Sequence, residues 1–527
     1  MTEIDRKKYV LAIDLGSSGL KAALVSEMGD VISHFFEPYG FIFLPDGGVE
    51  QDAALWWNLS MKAMKQLIAE SGIPSEQIVA ICCDSQYSLI IPVNEHAEPL
   101  MNAISWMDTR GGPYNRQLMK GFPAVNRMSL RKQLKFVRLT GLAPTGRGID
   151  SLGHMLAVKN ALPDIYKKTY KFLEPMDYLT SRLTGKISAS QHTVTMMMLT
   201  SNRRWGEKAY CRPLVEWSGL DPDKLPELLP SDGIVGTITP SIAEELGLSP
   251  ETRVICGMYD NQAAIAGAGI IDFQQGLQLV STTLSFNGLV DSKKTDLANG
   301  ITSIPSSLPD KYMLLCEQGL GGKCFDFHLN NIVCHDDALS FGEVPENAFE
   351  LLNDLAAQVP PGSDKVMFLP WLNGAGAPLS NSRARGAFFN LSLKSNRCHL
   401  TRAVMEGVAF NSRAALGLVE KFMGTRFKEL RFAGGGALSD IWAQAYADIL
   451  QVTIQQIDDP VQVTCRGAAL LGLVRLGYIS LDDIPKRVQI KKSFEPNESN
   501  FPIYNQLFDQ FKAIFKNNKA TFKALNG

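Results

Sequence analysis

The chain has 527 residues, room for three or four ordinary domains of ~150 residues or for two large ones with a tail. Hydrophobic residues make up 45% and charged residues 20%, a globular balance that excludes disordered, collagen-like and coiled-coil chains. Lys and Arg number 52 against 54 Asp and Glu, a net charge of −2, so no concentrated basic face for nucleic acid is indicated.

In chain order, Met1 to Lys8 mixes charges of both signs and no apolar signal-peptide core follows it. Tyr9–Leu15, Leu20–Val25 and Val31–Phe36 read as three short strands of an antiparallel meander. Gly16-Ser-Ser-Gly19 and Met28-Gly-Asp30 supply the tight turns between them. Asp52–Ser71 reads as a helix, with Leu55, Met61, Met64, Leu67 and Ile68 near helical spacing and Asp52 as its N-cap. Ile78–Cys83 and Ser88–Val93 are strand-like, joined through Asp84-Ser-Gln-Tyr87. Residues 110–220 read as helix and loop with turns at Gly141, Gly148 and Gly185, an insertion or lid around the sheet.

The strand Arg253–Cys256 leads into Tyr259-Asp-Asn-Gln262 and a small-residue helix over Ala263–Gly269. Gly276–Val290 begins a new run of strands. A long helix follows over His399–Met423, then a strand at Leu430–Phe432, a glycine turn at Gly434–Gly436 and a helix at Asp440–Leu450. The strand Val452–Ile457 and the helix Gly467–Leu476 come next. Each half therefore pairs a strand meander with strand–helix units, with a seam near residue 270, and this implies mixed sheets covered by helices. The polar tail from Asn497 carries Phe and Tyr at near-helical spacing and reads as a docked helix. Nine cysteines show no CxxC pair, and seven histidines show no zinc-ligand spacing, so neither a disulfide framework nor a zinc site is expected. No apolar run reaches the ~18 residues of a membrane span, which points to a cytoplasmic enzyme without membrane or nucleic-acid partners.

Four motifs can carry chemistry. Asp14-Leu-Gly-Ser-Ser-Gly-Leu-Lys21 lies between two strands; its glycines let backbone N–H groups approach phosphate oxygens, Ser17 and Ser18 add hydroxyls, and Asp14 can hold Mg²⁺ through water. The same residues also suit an ordinary hairpin. Gly434-Gly-Gly-Ala-Leu-Ser-Asp440 joins a strand to a helix N-terminus, as nucleotide sites do, and also suits a turn capped by Ser439 or Asp440. Asp260, just past a strand, can take a proton from a substrate hydroxyl or cap the helix after it. Trp106-Met-Asp108-Thr-Arg110 can bind a polyol by stacking and charged hydrogen bonds or form a salt-bridged loop. His154 and His192 read as ordinary core or polar histidines, and Cys82 and Cys83 as buried strand residues.

These motifs occur in the order and spacing of the FGGY carbohydrate kinases, which the chain resembles from about Tyr9 to Leu476. Further matches are Glu50-Gln-Asp52 with Trp56-Trp57, Phe368-Leu-Pro-Trp371, Arg385-Gly-Ala-Phe388, Arg402-Ala-Val-Met-Glu-Gly407 and Arg466-Gly-Ala-Ala469. Within the family it looks most like the xylulokinase-like branch. The resemblance implies an α/β fold of two actin-like (ribonuclease H-like) domains with a cleft between them. Residues 1–270 would mainly bind sugar, 271–480 mainly ATP, and 481–527 would form a helical tail. Asp260 matches the family's catalytic base, with Asp14 and Asp260 near Mg²⁺. Asp14, Gly16, Ser17, Ser18, Lys21, Thr282, Gly435, Gly436 and Asp440 fall on the nucleotide side. Ser85, Gln86, Trp106, Asp108, Asp260 and Asn261 fall on the sugar side.

Three departures stand out. The second phosphate loop reads Ser281-Thr-Thr283 where the family has Gly-Thr-Ser, placing a Cβ where glycine allows φ > 0. Ala375-Gly-Ala377 replaces Glu-Arg-Thr. Ser85-Gln86 replaces the Met-His of the xylulokinase pattern. The implied activity is ATP-dependent phosphorylation of a sugar hydroxyl, with a ketopentose such as xylulose first, another polyol as the alternative, and a homodimer allowed. A non-catalytic sugar or nucleotide sensor and an actin-fold ATPase chaperone are the competing expectations.

Overall fold

The computed structural model describes residues 7–125, 128–334 and 344–527, so most of Met1 to Lys8 lies outside the described residues. The first half begins with β1 (Tyr9–Leu15), β2 (Gly19–Ser26) and β3 (Val31–Pro38), then α1 (Ala53–Ser71) and β4 (Ile78–Ser85). It closes with β5 (Arg253–Ile255) and α2 (Asp260–Gly267). The second half opens with β6 (Gly276–Val280), β7 (Thr283–Val290) and β8 (Tyr312–Leu320). It continues through α3 (Arg397–Met423), β9 (Glu429–Ala433), α4 (Asp440–Leu450), β10 (Thr453–Ile457) and α5 (Val463–Arg475). The chain ends with β11 (Ile490–Phe494), α6 (Phe501–Asn517) and a last short helix, Lys519–Asn526.

The two sheets repeat one topology. In the first, β1 pairs antiparallel with β2 and parallel with β4, β2 pairs antiparallel with β3, and β4 pairs parallel with β5. In the second, β6 pairs antiparallel with β7 and parallel with β9, β7 antiparallel with β8, and β9 parallel with β10. The repeat of pattern expected from the sequence is thus a repeat of strand order. The central strands are apolar on both faces: Val10, Leu11, Ala12 and Ile13 are all buried, as helices on both sides of a sheet require. Each such Val, Leu or Ile contributes ~1.5–3 kcal/mol on burial.

Local chemistry sets the element ends. Asp52 Oδ1 accepts from the N–H of Ala54 at 2.8 Å and of Leu55 at 3.1 Å, a cap worth ~1 kcal/mol that starts α1 where the sequence places it. The second strand of the Ile78–Val93 region begins only at Ile91, because Ser88 adopts φ 64°, which an extended strand does not accommodate. α2 starts at Asp260 rather than Ala263, so Asp260 is the first helical residue and not the cap. The run Leu277–Phe286 splits into β6 and β7 around Ser281-Thr282.

Residues 110–220 form helices and short strands around a core of their own, in which Phe136, Met155, Phe172 and Leu199 are buried. The tail expected to be helical also supplies β11, which pairs antiparallel with β10 at the sheet edge. α6 then buries Tyr504, Leu507, Phe511 and Phe515, with Phe511 and Phe515 ring centroids 5.2 and 5.0 Å from Trp371. All nine cysteines are free. Among the described residues no helix is long and apolar enough to cross a membrane.

One contact ties the halves together. α5 belongs to the second half by sequence but packs on α2 and on β1 and β4. The two helices cross at glycines. A Cβ on Gly467 would overlap the Ala263 carbonyl and lie 2.6 Å from the Gly267 nitrogen, and one on Gly267 would meet the Val463 carbonyl. Gly467→Ala is therefore expected to cost ~1–3 kcal/mol through overpacking, read as a Tm lower by several degrees in thermal unfolding; an unchanged Tm would contradict the backbone contact.

Candidate active site

A cavity of about 390 Å³ lies between the halves. Three turns face it: the β1–β2 turn, the β6–β7 turn, and the glycine turn between β9 and α4. In the first, Asp14 and Lys21 sit opposite each other across the hairpin and form an ion pair. Thr464 of α5 donates to Asp14 Oδ2 at 2.7 Å and accepts from Lys21 Nζ at 3.2 Å. Asp14 Oδ1 is buried and has no protein partner. Burial of this kind normally lowers a lysine's pKa; at Lys21 the neighbouring Asp14 carboxylate outweighs it and holds the ammonium charged.

The turn is held from behind by its carbonyls. Gly16 O accepts from Tyr39 Oη at 2.6 Å and from Gln86 Nε2 at 3.2 Å, Ser17 O from Gln51 Nε2 at 3.1 Å, and Ser18 O from the Tyr39 N–H at 3.2 Å. Gly16 N–H closes the turn onto Gly19 O at 3.1 Å, and the N–H groups of Ser17 and Ser18 have no acceptor among the described residues. The β6–β7 turn is built alike. Gly322 N–H donates to Ser281 O at 2.6 Å and Gly321 N–H to Thr282 O at 3.1 Å. Ser281 does not adopt positive φ, so the replacement of glycine there imposes no backbone strain.

At the third turn Gly434 adopts φ 88°, and a Cβ on it would lie 2.5 Å from Val280 O; a Cβ on Gly436 would lie 2.5 Å from Val280 Cγ1. These glycines let the turn press on β6, whereas a Cβ at Gly435 meets nothing. Ser439 caps α4, its Oγ accepting from the Trp442 N–H at 3.1 Å and donating to Asn353 Oδ1 at 2.6 Å. Phe325 stacks on Phe349 at 6.0 Å and lies 5.3 Å from Trp442, giving the cavity an aromatic wall that the sequence reading missed. Asp440, expected on the nucleotide side, does not line the cavity. It pairs with Lys492 of β11 at 2.7 Å, and that lysine keeps its carboxyl below the usual range.

Asp260 also lines the cavity. Its Oδ1 accepts from the Asn261 N–H at 2.7 Å. Burial, reinforced by the Asp14 carboxylate, pushes its pKa up to about 8. Beyond it, Asn261 Nδ2 donates to Glu317 Oε1 of β8 at 3.0 Å, and burial raises Glu317 to about 7. Asp84 lies beside Asp14 in register on β4, with both carboxyl oxygens buried and accepting no hydrogen bond. Burial, and after it the Asp14 carboxylate, push its pKa well above the carboxylate range.

The expected sugar-side residues divide. Gln86 Nε2 donates to Gln51 Oε1 at 2.7 Å and its Oε1 accepts from Trp106 Nε1 at 3.1 Å, so Trp106, Gln86, Gln51 and Ser17 form one chain of contacts. Ser85 is fully buried, its Oγ turned to Gln86 O at 2.8 Å. Asp108 is fully buried and accepts from Val49 N–H and from Arg110 Nε and Nη2 at 2.7–2.9 Å. Neither lines the cavity of the three turns, and their side chains bond to neighbouring protein groups.

Residues 9–267 match the N-terminal domain of the FGGY family of carbohydrate kinases, and residues 285–476 match its C-terminal domain. The chain belongs to the FGGY family. This FGGY chain is 27% identical to the xylulose kinase of Bacillus subtilis over 98% of its own length and 99% of that protein. It is 25% identical to the gluconokinase of the same organism over 95% and 94%. The crystal structure of gluconate kinase from Lactobacillus acidophilus superposes with a TM-score of 0.83 at 23% identity, covering 98% of this chain and 100% of that one. The fold is accordingly that of two actin-like domains about a cleft, and the enzyme is an ATP-dependent carbohydrate kinase.

Sequence reasoning also missed Thr464, Gln51 and Glu317. The first two stand beside quoted matches, Arg466-Gly-Ala-Ala469 and Glu50-Gln-Asp52; Glu317 carries no motif. Thr464→Val removes the hydroxyl that both Asp14 and Lys21 use. It is expected to destabilise by ~1–3 kcal/mol, the cost of a buried polar group losing its partner, measured as a lower midpoint in urea.

Proposed function

We propose that this kinase transfers the γ-phosphoryl group of ATP to a hydroxyl of a ketopentose such as xylulose, and that Asp260 aligns the hydroxyl and takes its proton. One observation carries the reading. Asp260 is the carboxylate that faces the cavity of the three turns on one side and neighbours the Asn261–Glu317 pair on the other, where an acceptor between two substrates must be served. The B. subtilis xylulose kinase supports the choice of sugar.

Phosphoryl transfer passes through a loose transition state, so positioning and charge neutralisation do most of the work. The unpaired N–H groups of Ser17 and Ser18, together with the Thr282 turn, are placed to hold phosphate oxygens. Lys21 supplies a positive charge that does not titrate near neutral pH. Phe325 and Trp442 offer apolar faces to the adenine ring. Asp260, with its pKa near 8, is close to the operating pH, where a general base balances availability against strength.

The residues fit Mg²⁺. Asp14 Oδ1 is a buried oxygen without a partner, and this ion takes one or two carboxylates along with phosphate oxygens and water. Asp14 and Asp260 would hold it, and the ion would neutralise charge building on the phosphate oxygens. A cytoplasmic setting accords with nine free cysteines, three of them only half-buried. The homodimer stays with the family resemblance.

Asp260→Asn is expected to keep the fold and lower kcat ~10²–10⁴-fold, measured by ADP release; undiminished sugar-dependent turnover would remove Asp260 from its role. A second expectation concerns pH. A base with a raised pKa works only when ionised, so kcat/KM of the wild type should rise from pH 6 to pH 9 with an inflection near 8. Because folding raises this pKa from its ordinary 3.8, the stability Asp260 contributes is fully present below about pH 4, falls as pH rises, and is lost by about pH 8. The Tm of Asp260→Asn relative to the wild type should therefore climb from pH 4 to pH 9.

A further inference from the structure

Glu317 lies on β8, in the second half of the chain, yet its carboxylate reaches residues of the first. Oε1 accepts from Asn261 Nδ2 at 3.0 Å, and the Tyr87 side chain lies close enough to act on this carboxylate. Tyr87 follows Gln86, whose amide holds Trp106, and its ring meets Tyr259 edge-on at 5.4 Å. Glu317, Asn261 and Tyr87 all adjoin Asp260, and none of them lines the cavity of the three turns. They neighbour Asp260 outside that cavity, on the side that the kinase reading leaves to the acceptor.

A carboxylate offers about four acceptor sites, and Asn261 takes one at Glu317. The others suit the hydroxyl donors of a sugar. The charge balance of this side is one-sided. Among the described residues neither Asp260 nor Glu317 forms an ion pair, and no cation acts on Glu317. Lys21 is bound to Asp14, and Arg110, on the Trp106 loop, is bound to Asp108 and Glu50 at 2.7 Å. A neutral polyol meets Glu317 as a hydrogen-bond acceptor. A sugar acid brings its own negative charge against this carboxylate, which has no ion-pair partner among the described residues, and that is the repulsive element that discrimination requires.

We propose that Glu317 is a specificity-determining residue: it hydrogen-bonds the hydroxyls of the acceptor sugar from the second half of the chain and turns away sugar acids such as gluconate. This rests on the kinase reading above and adds to it the class of acceptor, neutral rather than acidic.

The test is steady-state kinetics of wild type, Glu317→Gln and Glu317→Asp over xylulose, other ketopentoses, neutral polyols and gluconate, with ATP varied separately. Wild type should use a neutral sugar and refuse gluconate. Glu317→Gln, which keeps the shape and an acceptor for Asn261, should raise the KM of that sugar about tenfold or more, the scale of one hydrogen bond to a charged group. The KM for ATP should stay unchanged and kcat/KM on gluconate should rise at least as much. Glu317→Asp should raise the sugar KM yet still refuse gluconate. A wild-type sugar KM in Glu317→Gln, with gluconate still refused, overturns the role of Glu317 and leaves the kinase reading intact. A wild type that phosphorylates gluconate and no neutral sugar overturns both. A wild type that prefers a neutral polyol other than a ketopentose overturns only the ketopentose, and the Glu317 comparison is then decided on that polyol.

Discussion

Backbone contact between α2 and α5 governs how the cleft is assembled. The helices meet at Gly267 and Gly467 so closely that neither position has room for a methyl group. α2 begins with Asp260, and α5 carries Thr464 one residue from its start. The crossing therefore fixes two cleft residues from different halves relative to each other. Thr464 then bonds Asp14 and Lys21 of the first hairpin. A carboxylate, an ammonium and a hydroxyl reach one place because two helices lack side chains at their crossing.

Around that crossing the chain solves the same problem twice. The β1–β2 and β6–β7 turns are anchored through their carbonyls and leave N–H groups toward the cavity. Ser17 and Thr282 are half-buried and Ser18 is exposed, so their N–H groups stay accessible to an acceptor that enters the cleft. Three oxygens on each phosphate provide that acceptor. The repeated strand order, central β1 and β6 with an antiparallel neighbour on one side and a parallel one on the other, brings both turns to the same cleft.

Much of this was legible in the sequence. Apolar runs punctuated by Gly and Asp fixed the strands of the first meander, and α1 and α4 span the stretches their caps and spacing indicate. Each cleft motif also suited an ordinary turn or cap, and it was their shared order and spacing along the chain that set them apart. What escaped was whatever depends on distant packing. Arg110, two residues on, already offered a salt bridge to Asp108, but that Val49 of a distant strand also claims this carboxylate shows only in the fold. That Asp440 pairs with Lys492, more than fifty residues on, could not be read locally either. Glu317 sits in a strand among apolar residues and becomes meaningful only when Asn261 and Tyr87 arrive from the other half.

The contacts running from Trp106 through Gln86 and Gln51 to Ser17 have a thermodynamic corollary. A ligand that settles Trp106 also settles the amide donors of the first turn, since each link is a direct hydrogen bond. Coupling between two binding equilibria is symmetric: whatever factor the acceptor adds to affinity for the triphosphate, the triphosphate returns to the acceptor. A factor above one would leave the sugar-free enzyme with the looser hold on its phosphate donor.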